Sequence, residues 1–300
     1  MNESYNSLPL QVLQGQKRQI AIFETGGENI EEKVVESFGE EWLKFYKFSE
    51  QSIEDSAMEY FDILDESMIN KNTYALDIGC GTGRWTKHLA KKVGFVEAID
   101  PSNAIFAAEK LLEKTDNIRL TKASIENIPF PDQSFDFVMS IGVLHHIPDT
   151  QQAMMDCVKK VKTGGYFYCY LYHNLETFSW FSKMLFWISE LIRKVVSKLP
   201  SKLKRAVCDV LAAVIYLPIV LVGRLINFIG LKKIGNKLPL NYYHNKPFYM
   251  MRTDSLDKFG TALENRFSSE EVRIMMKNSG LKDIVVSTGI PYYHAVGRKL

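Results

Sequence analysis

The residues best suited to chemistry lie in one short stretch, Tyr74–Gly83, which reads Y-A-L-D-I-G-C-G-T-G. A short apolar run bounded by glycine is typical of a buried parallel strand. Gly79, Gly81 and Gly83 predict a tight turn whose backbone a ligand can approach closely. The following R-W-T-K-H-L-A-K-K predicts a helix, whose first N–H groups point at the turn and can hold an anionic group. Asp77 therefore lies at the carboxyl end of the strand, where open α/β sheets bind ligands.

A second acid follows at the end of the next apolar run. G-F-V-E-A-I-D-P-S predicts a strand that ends at Asp100, 17 residues beyond the last glycine of the turn. An acid at this position can accept both hydroxyls of a ribose. Asp100 could instead cap the next helix, a role that Ser102 could equally fill. Both acids and the glycines together favour ribose binding.

The spacing of the glycines separates two classes of nucleotide ligand. A dinucleotide site reads G-x-G-x-x-G, whereas this chain reads D-x-G-x-G-x-G. With its acid before the first glycine, the stretch resembles the first motif of class I S-adenosylmethionine-dependent methyltransferases. The resemblance covers about 75–170 and is strongest to the small-molecule branch similar to the ubiquinone and menaquinone methyltransferases.

The resemblance implies an α/β fold and a cofactor. The fold is a doubly wound, seven-stranded, mostly parallel sheet with a final antiparallel strand, N-terminal helices and a helical insertion between strands five and six. The cofactor is S-adenosylmethionine, with S-adenosylhomocysteine as product and no metal expected. The implied domains are an N-terminal helical cover (1–70), a cofactor-binding core (71–172), the insertion (173–262) and a segment that completes the core (263–300).

The resemblance also implies which residues contact the cofactor. Relatives usually carry an aspartate where this chain has Ser124, so either Ser124 and the backbone at Ile125 read the adenine, or Glu126 helps. Ser140, at the end of the fourth strand, faces the methionine end. The implied cofactor-binding residues are Asp77, Gly79, Cys80, Gly81, Gly83, Asp100, Pro101, Ser124, Ile125 and Ser140.

Three histidines are candidates for proton transfer on the acceptor side. Methyl transfer from a sulfonium is an in-line displacement that mainly needs alignment, so a general base is optional. His145, His146 and His173 follow the fourth and fifth strands, although a packed or turn-stabilising role is an alternative for each. Aromatic residues that could line the acceptor are Trp42, Tyr46, Tyr172 and Tyr243.

Composition sets the broad class of protein. With 300 residues, 46% hydrophobic and 24% charged, the chain is expected to be globular. The N-terminus lacks the basic start and apolar stretch of a secretory signal. The cysteines form no C-x-x-C pair, which argues against a zinc site and a disulfide framework and favours the cytoplasm. They are Cys80, Cys157, Cys169 and Cys208.

The insertion is basic and apolar at once. Between Leu191 and Leu240, ten Lys and Arg stand against one acid, Asp209, for a net charge of +9 against −7 for the rest. Two apolar runs with helical spacing are separated by Pro200. The second is near the lower length limit of a membrane span, but one crossing would separate the last two strands from the other five. The insertion is therefore expected to form a lid, or to contact an anionic membrane surface peripherally through 183–237, or both.

Several functional classes remain as alternatives. A nicotinamide-dependent dehydrogenase needs the other glycine spacing. A nucleic-acid methyltransferase could use the basic insertion, but nucleic acid is disfavoured because the fourth strand ends in S-I-G-V rather than N-P-P-Y. A non-catalytic cofactor-binding module is a third class. The favoured acceptor is a small molecule, either sugar, lipid or quinone-like.

Overall fold

A mixed β-sheet lies at the centre of the larger of two structural units. In our computed structural model, the described residues are 4–43, 48–174, 180–235, 238–287, 289 and 293–300, with the side chains of 41, 181, 182 and 185 also left aside. The first unit comprises Met1–Glu176 and Leu263–Leu300, and the second comprises Thr177–Ala262. The described strands of the first unit are β1 (Gln11–Gln14), β2 (Gln19–Ile22), β3 (Tyr74–Ile78), β4 (Phe95–Ile99), β5 (Ile118–Lys122), β6 (Phe135–Ile141), β7 (Val161–Tyr170), β8 (Leu281–Val286) and β9 (His294–Lys299).

The order of the strands defines the fold. It runs β1-β2-β5-β4-β3-β6-β7-β9-β8. Strands from β2 to β7 pair in parallel, whereas β9 lies antiparallel between β7 and β8. Strands β4 and β5 follow β3 on one side of the sheet, whereas β6 and β7 lie on its other side, so the order of the strands reverses next to β3. Open α/β sheets bind ligands at such a switch point. The predicted doubly wound α/β fold with a final antiparallel strand is confirmed.

The number of strands differs from the prediction of seven. In the described part of the chain the sheet has nine, because an N-terminal hairpin of β1 and β2 extends it beside β5. Ile20 is fully buried in this hairpin, and the hydroxyls of Tyr5 and Thr121 hydrogen bond at 2.8 Å. The N-terminal region is therefore not made of helices alone.

Helices cover the sheet in the first unit. They are α1 (Glu32–Trp42), α2 (Glu50–Tyr60), α3 (Arg84–Ala90), α4 (Ala104–Leu111) and α5 (Thr150–Lys159), and the last in the chain is α11 (Ser269–Asn278). The spacing of Ser268 and Glu271 predicts a capping box at the start of α11, and the structure has it, with the side chain of each residue accepting from the backbone N–H of the other. Apolar spacing predicts a helix over Ser56–Met68, but these bounds are wrong. The Ser49 side chain caps α2 by accepting from Ser52 N, and the helix ends at Tyr60.

The second unit is helical in its described residues. It contains α6 (Trp180–Val196), α7 (Ser201–Leu211), a π-helical turn (Ala212–Tyr216), α8 (Leu217–Phe228), α9 (Lys232–Gly235) and α10 (Phe248–Gly260). From Ser201 to Phe228 the helix is continuous. Helix α10, which the sequence analysis missed, is held to α7 by two hydrogen bonds of 2.7 and 2.8 Å between Arg252 and Asp209.

Candidate active site

The glycine turn joins β3 to α3 and is attached to β4. The backbone N–H groups of Gly79 and Cys80 donate to Ile99 O at 2.8 and 3.0 Å. A Cβ at Gly79 would lie 2.4 Å from the Val143 side chain, and φ there is +75°, so only glycine fits without strain. The turn is therefore fixed against both neighbouring strands.

Gly81 occupies the open side of the turn. Its φ is +55°, and the nearest atoms to an added Cβ belong to Trp42, 3.8 Å away. The backbone at Gly81 is thus accessible to a ligand, unlike Gly79, whose missing side chain makes room for protein. Trp42, expected on the acceptor side, lies here instead beside the turn, and its ring centroid is 5.9 Å from the Arg84 guanidinium.

Asp100 connects the second strand to the glycine turn. One carboxylate oxygen accepts from Gly81 N at 2.8 Å, and the other accepts from Ser102 N at 2.8 Å. The side chain is buried, which raises its pKa, while the hydrogen bonds from Ser102 and Gly81 oppose that rise. At the start of α4 it is the Ser102 hydroxyl that accepts from a helix N–H group, that of Ala104, at 3.1 Å. Since a carboxylate oxygen can accept more than one hydrogen bond, Asp100 can fix the turn and still accept from a ribose.

Asp77 is buried beneath the turn. It accepts a hydrogen bond from the Thr86 hydroxyl at 2.6 Å, which joins β3 to α3. Burial raises the pKa of Asp77 to about 7, and the nearby Asp100 carboxylate adds to the rise despite the Thr86 hydrogen bond. The contact of Asp77 in this structure is therefore a structural one, which holds the start of α3 to the end of β3.

The predicted adenine side follows β5. Ser124 is fully buried, and its hydroxyl accepts from the Asn127 side chain at 3.2 Å. Glu126 points elsewhere, since its carboxylate accepts from the backbone N–H groups of Glu28 and Asn29. Of the two predicted arrangements, the one with Ser124 and Ile125 therefore fits the structure better.

The remaining predicted cofactor residues lie in the same region. Ser140 is buried and donates to Ile78 O at 3.1 Å, joining β6 to β3. Cys80 is buried within the turn, whereas Pro101 is partly exposed after β4. All of these residues follow or end parallel strands at one edge of the sheet, which we call the carboxyl edge.

His145 and His146 lie in a single helical turn, Leu144–His146, after β6. His145 is fully buried, and neither ring nitrogen has a hydrogen-bond partner among the described residues. Burial, and then the neighbouring His146 and Arg266, hold the pKa of His145 well below its usual value, so the ring is neutral. His146 is different, because its Nδ1 lies 2.8 Å from Leu263 O and must carry the hydrogen.

Four aromatic residues continue from His145 along the carboxyl edge, and we call the five together the aromatic wall. Tyr172 stacks on His145 with ring centroids 3.8 Å apart. Tyr170 is 5.8 Å from Tyr172 and 5.1 Å from Tyr60, and Tyr60 is 4.7 Å from Trp85. The Trp85 indole nitrogen is buried with no partner in the part of the chain that the structure describes. Tyr60, Trp85 and Tyr170 were not singled out from the sequence.

The chain segment that re-enters the first unit holds residues Leu144–Ile147, which we call the histidine loop. Asn265 N donates to His145 O at 2.8 Å, and its side-chain amide donates to Ile147 O at 3.1 Å. The Arg266 guanidinium lies 5.3 Å from the centre of the Tyr172 ring, on the aromatic wall. We call Leu263–Phe267 the return segment. Its role was missed because nothing local in the sequence marks it.

The return segment also meets the chain that leaves β7. Phe267 N donates to Tyr172 O at 2.9 Å, and Asn174 N donates to Phe267 O at 2.7 Å. His173 bridges to Phe267 through its backbone, and its carbonyl accepts from Arg266 Nη1 at 3.1 Å. These contacts give His173 a structural role at the place where the chain leaves and re-enters the first unit, which we call the joint.

The other predicted acceptor-side residues are Tyr46 and Tyr243. Tyr46 lies outside the described residues. Tyr243 belongs to the second unit, where it is buried against Tyr216 at 5.9 Å, and burial raises the pKa of its phenol well above the usual value. Within the described residues, no group of three or more His, Cys, Asp or Glu could hold a metal ion.

Comparison with known proteins gives a family for the core. Residues 76–169 match the family model described as a methyltransferase domain. Over 148 residues the chain is 32% identical to demethylmenaquinone methyltransferase of Staphylococcus aureus, covering 47% of this chain and 60% of that protein. The chain thus spans about 60% of the length of the curated relatives it matches.

Solved structures of methyltransferases align at low identity. One is an S-adenosylmethionine-dependent methyltransferase of Thermotoga maritima, described as a possible histamine N-methyltransferase, with 16% identity, 87% of this chain and 94% of that chain covered and a TM-score of 0.47. Another, from Aquifex aeolicus, has 17% identity, covers 84% of this chain and 97% of that chain, and has a TM-score of 0.43.

Proposed function

We propose that this chain, whose residues 76–169 form a class I S-adenosylmethionine-dependent methyltransferase domain, transfers a methyl group to a small molecule with a flat, quinone-like aromatic ring. The observation that carries the proposal is the aromatic wall, with the neutral, unpartnered His145 at its end. The acceptor for which the S. aureus relative is named, a demethylmenaquinone, is of the same chemical class.

The cofactor site combines an open backbone with a fixed acid. When bound, S-adenosylmethionine supplies a methyl group on a positively charged sulfur, ready for in-line displacement. The turn at Gly81 leaves the backbone accessible, and Asp100 is held beside it to accept ribose hydroxyls. Ser124 and Ile125 are buried after β5 and would contact the adenine. The open backbone at Gly81 and the carboxylate of Asp100 are the two features that suit the cofactor.

The aromatic wall suits a planar acceptor more than a sugar. Tyr60, Tyr170 and Tyr172 are each partly exposed, and the centre of the Tyr170 ring lies within 6 Å of the ring centres of the other two. Aromatic pairs gain about 0.5–1.5 kcal/mol beyond the burial of their area, so a ring is favoured over a saturated, hydroxyl-rich molecule.

His145 would receive the proton of an acceptor hydroxyl. Neither ring nitrogen of His145 has a hydrogen-bond partner among the described residues, so the nitrogen without the hydrogen keeps a lone pair that can accept the proton. Removing the hydroxyl proton makes the ring electron-rich, which increases its reactivity toward the methyl group. Tyr172 stacks on His145 and thereby fixes the plane of the imidazole.

The proposal is tested by supplying labelled cofactor with a set of acceptors. The purified chain is incubated with methyl-labelled S-adenosylmethionine and reduced quinones, simple phenols, sugars, amines or RNA, and the products are identified by mass spectrometry. Label on a quinol or phenol is the expected result. Label found only on sugar, amine or RNA would contradict the aromatic acceptor.

Two substitutions at Tyr172 give a matched control. Tyr172→Phe keeps the ring and should retain turnover, whereas Tyr172→Ala removes the stacking surface. Aromatic contact and burial together are worth about 2 kcal/mol, so the alanine variant should raise the acceptor KM roughly thirtyfold. Equal KM values for both variants would remove Tyr172 from the acceptor surface.

A further inference from the structure

The second unit exposes many large apolar side chains. Among the described residues of the chain, seventeen of the twenty-five exposed large apolar side chains belong to residues 177–262. The most exposed of these seventeen are Phe228 at 87% and Trp180 at 76%. An apolar surface of this extent usually marks contact with a partner or a membrane.

On the long helix from Ser201 to Phe228, all of the exposed large apolar residues except Val222 form one stripe. Their spacing of seven, four, seven, four and three residues returns each to the same face of an α-helix. The members of the stripe are Leu203, Val210, Val214, Leu221, Leu225 and Phe228, each at least half exposed. The opposite face is buried inside the unit through Cys208, Ala212, Tyr216, Val220 and Gly223.

Helix α6 repeats this arrangement. Its exposed apolar residues are spaced by four, three, one, three and four positions, which keeps them on one side of an α-helix, and they include two tryptophans. They are Trp180, Met184, Trp187, Ile188, Leu191 and Val195. Val196 is buried on the other side. Tryptophan is favoured where an apolar region meets water, as at the surface of a bilayer.

The charge of the second unit selects the partner. Residues 177–262 contain fourteen Lys and Arg and four Asp and Glu. Two of the acids are already paired, Glu190 with Arg193 and Asp209 with Arg252. The surface lysines include Lys183, Lys194, Lys198, Lys202, Lys232 and Lys233. A surface with this charge is attracted to anionic lipid, and it repels a second copy of itself.

We propose that the stripes on α6 and on the 201–228 helix form a docking surface that lies in the plane of a membrane containing anionic lipids. The apolar side chains enter the boundary between headgroups and acyl chains, and the lysines contact the phosphates. This inference does not depend on the proposed reaction, because it concerns binding by residues outside the methyltransferase domain.

The polar contacts of the 201–228 helix favour an in-plane helix over a spanning one. By length and by a mean hydropathy of 2.4 over its most apolar window, this described helix could cross a bilayer. However, the Asp209–Arg252 ion pair and the Tyr216–Asp254 hydrogen bond of 2.8 Å lie along its buried face. A span would have to bring these polar groups into the hydrocarbon, which is costly, whereas docking by the exposed stripe leaves them in place.

Vesicle sedimentation tests the surface directly. The full chain is mixed with phosphatidylcholine vesicles that either contain or lack phosphatidylglycerol. Binding should require phosphatidylglycerol and should weaken with added salt. Sedimentation that is equal with and without phosphatidylglycerol would overturn the proposal.

Paired substitutions separate the stripe from general hydrophobicity. Val214→Glu with Leu225→Glu should weaken binding to the anionic vesicles by roughly a hundredfold, because each side chain contributes about tenfold. Met58→Glu with Ile274→Glu replaces exposed apolar residues of the first unit and should leave binding unchanged. Equal loss in both double variants, or none in the first, would overturn the stripe as the contact.

Tryptophan fluorescence measures the depth of contact. Lipids brominated near the headgroup should quench the emission of Trp180 and Trp187, and Trp180→Phe with Trp187→Phe should abolish that quenching. Release of the bound chain by alkaline carbonate is expected for an in-plane surface. Resistance to carbonate would indicate a spanning helix, and a dimer that the Val214→Glu, Leu225→Glu variant dissociates without any vesicle binding would indicate a second copy as occupant. Either outcome would overturn the proposal.

Discussion

The first unit buries its largest apolar side chains on both faces of a sheet, whereas the second unit exposes them along two helices. Leu76, Phe137 and Phe167 are fully buried, but Phe228 and Trp180 are mostly exposed. The charges are also divided. Residues 177–262 have an excess of ten positive charges, and the rest of the chain has an excess of eight negative charges.

The two units therefore differ in how precisely their side chains must be positioned. Buried strands that end in a tight turn position a few polar groups within tenths of an ångström, which a reaction requires. An exposed apolar and basic surface needs no such precision, because contact with lipid depends on area and charge. Substitutions can therefore be designed to affect one unit and spare the other.

The largest effect is expected for Asp100→Ala. Losing charge-assisted hydrogen bonds to two ribose hydroxyls removes about 4 kcal/mol, or roughly a thousandfold in affinity for S-adenosylhomocysteine. Isothermal calorimetry measures this, and the variant should still sediment with anionic vesicles. A variant that binds the product as tightly as the natural chain would break the assignment of the cofactor to the first unit.

His145→Phe is expected to have the next largest effect. The ring still stacks on Tyr172, but it cannot take a proton, so kcat with a hydroxylated aromatic acceptor should fall by about a hundredfold. The affinity for S-adenosylhomocysteine should not change. A loss of kcat at constant affinity would show that His145 lies on the acceptor side of the first unit and not on its cofactor side. An unchanged kcat would leave His145 as a packing residue.

Asp77→Asn should change how stability depends on pH. Burial raises the pKa of Asp77 to about 7 in the folded chain, above its usual value of 3.8. Between these values the unfolded chain is ionised while the folded chain keeps the proton, so this group makes the fold less stable as the pH rises, and its contribution levels off above about pH 7.

The asparagine variant removes that contribution. From about pH 5 to about pH 6.5 the free energy of unfolding of the natural chain should fall relative to the variant by about 2 kcal/mol. Urea titrations at several pH values measure the difference. Parallel pH profiles for the two proteins would show that Asp77 is not protonated in the folded chain.

The smallest effect is expected for Asn265→Asp, at the point where the chain returns from the second unit. The carboxylate cannot donate to Ile147 O, so the hydrogen bond that holds the histidine loop, worth about 1 kcal/mol, is lost and kcat should fall by a few fold. Asn265→Gln retains the donor and should recover part of the rate. Full activity in the aspartate variant would mean that the return segment does not position His145.

Local signals in the sequence were enough for much of the fold. The strand, turn and helix at Tyr74–Ala90, the acid after β4 and the capping box of Ser268 and Glu271 each depend on neighbouring residues. The break at Pro200 was predicted for the same reason, because proline lacks a backbone N–H and interrupts a helix.

Features that depend on distant contacts could not be predicted. β1 and β2 have four residues each, too few for a clear alternation, and they exist because β5 offers an edge. The aromatic wall brings together residues from α2, α3 and the strand ends, which no local spacing reveals. Glu126 was considered for adenine, but its carboxylate binds the backbone of a segment nearly a hundred positions earlier.

The joint between Asn174 and Phe267 has a consequence for how such chains can be rebuilt. Because the backbone leaves the first unit and re-enters it at residues that hydrogen bond to each other, everything between them is topologically an enlarged loop. A short glycine-serine graft across the joint could replace it without disturbing strand order. Residues 175–262 can thus be exchanged as one cassette, so that a different second unit is joined to the same methyltransferase domain while the strands of the first unit stay unchanged.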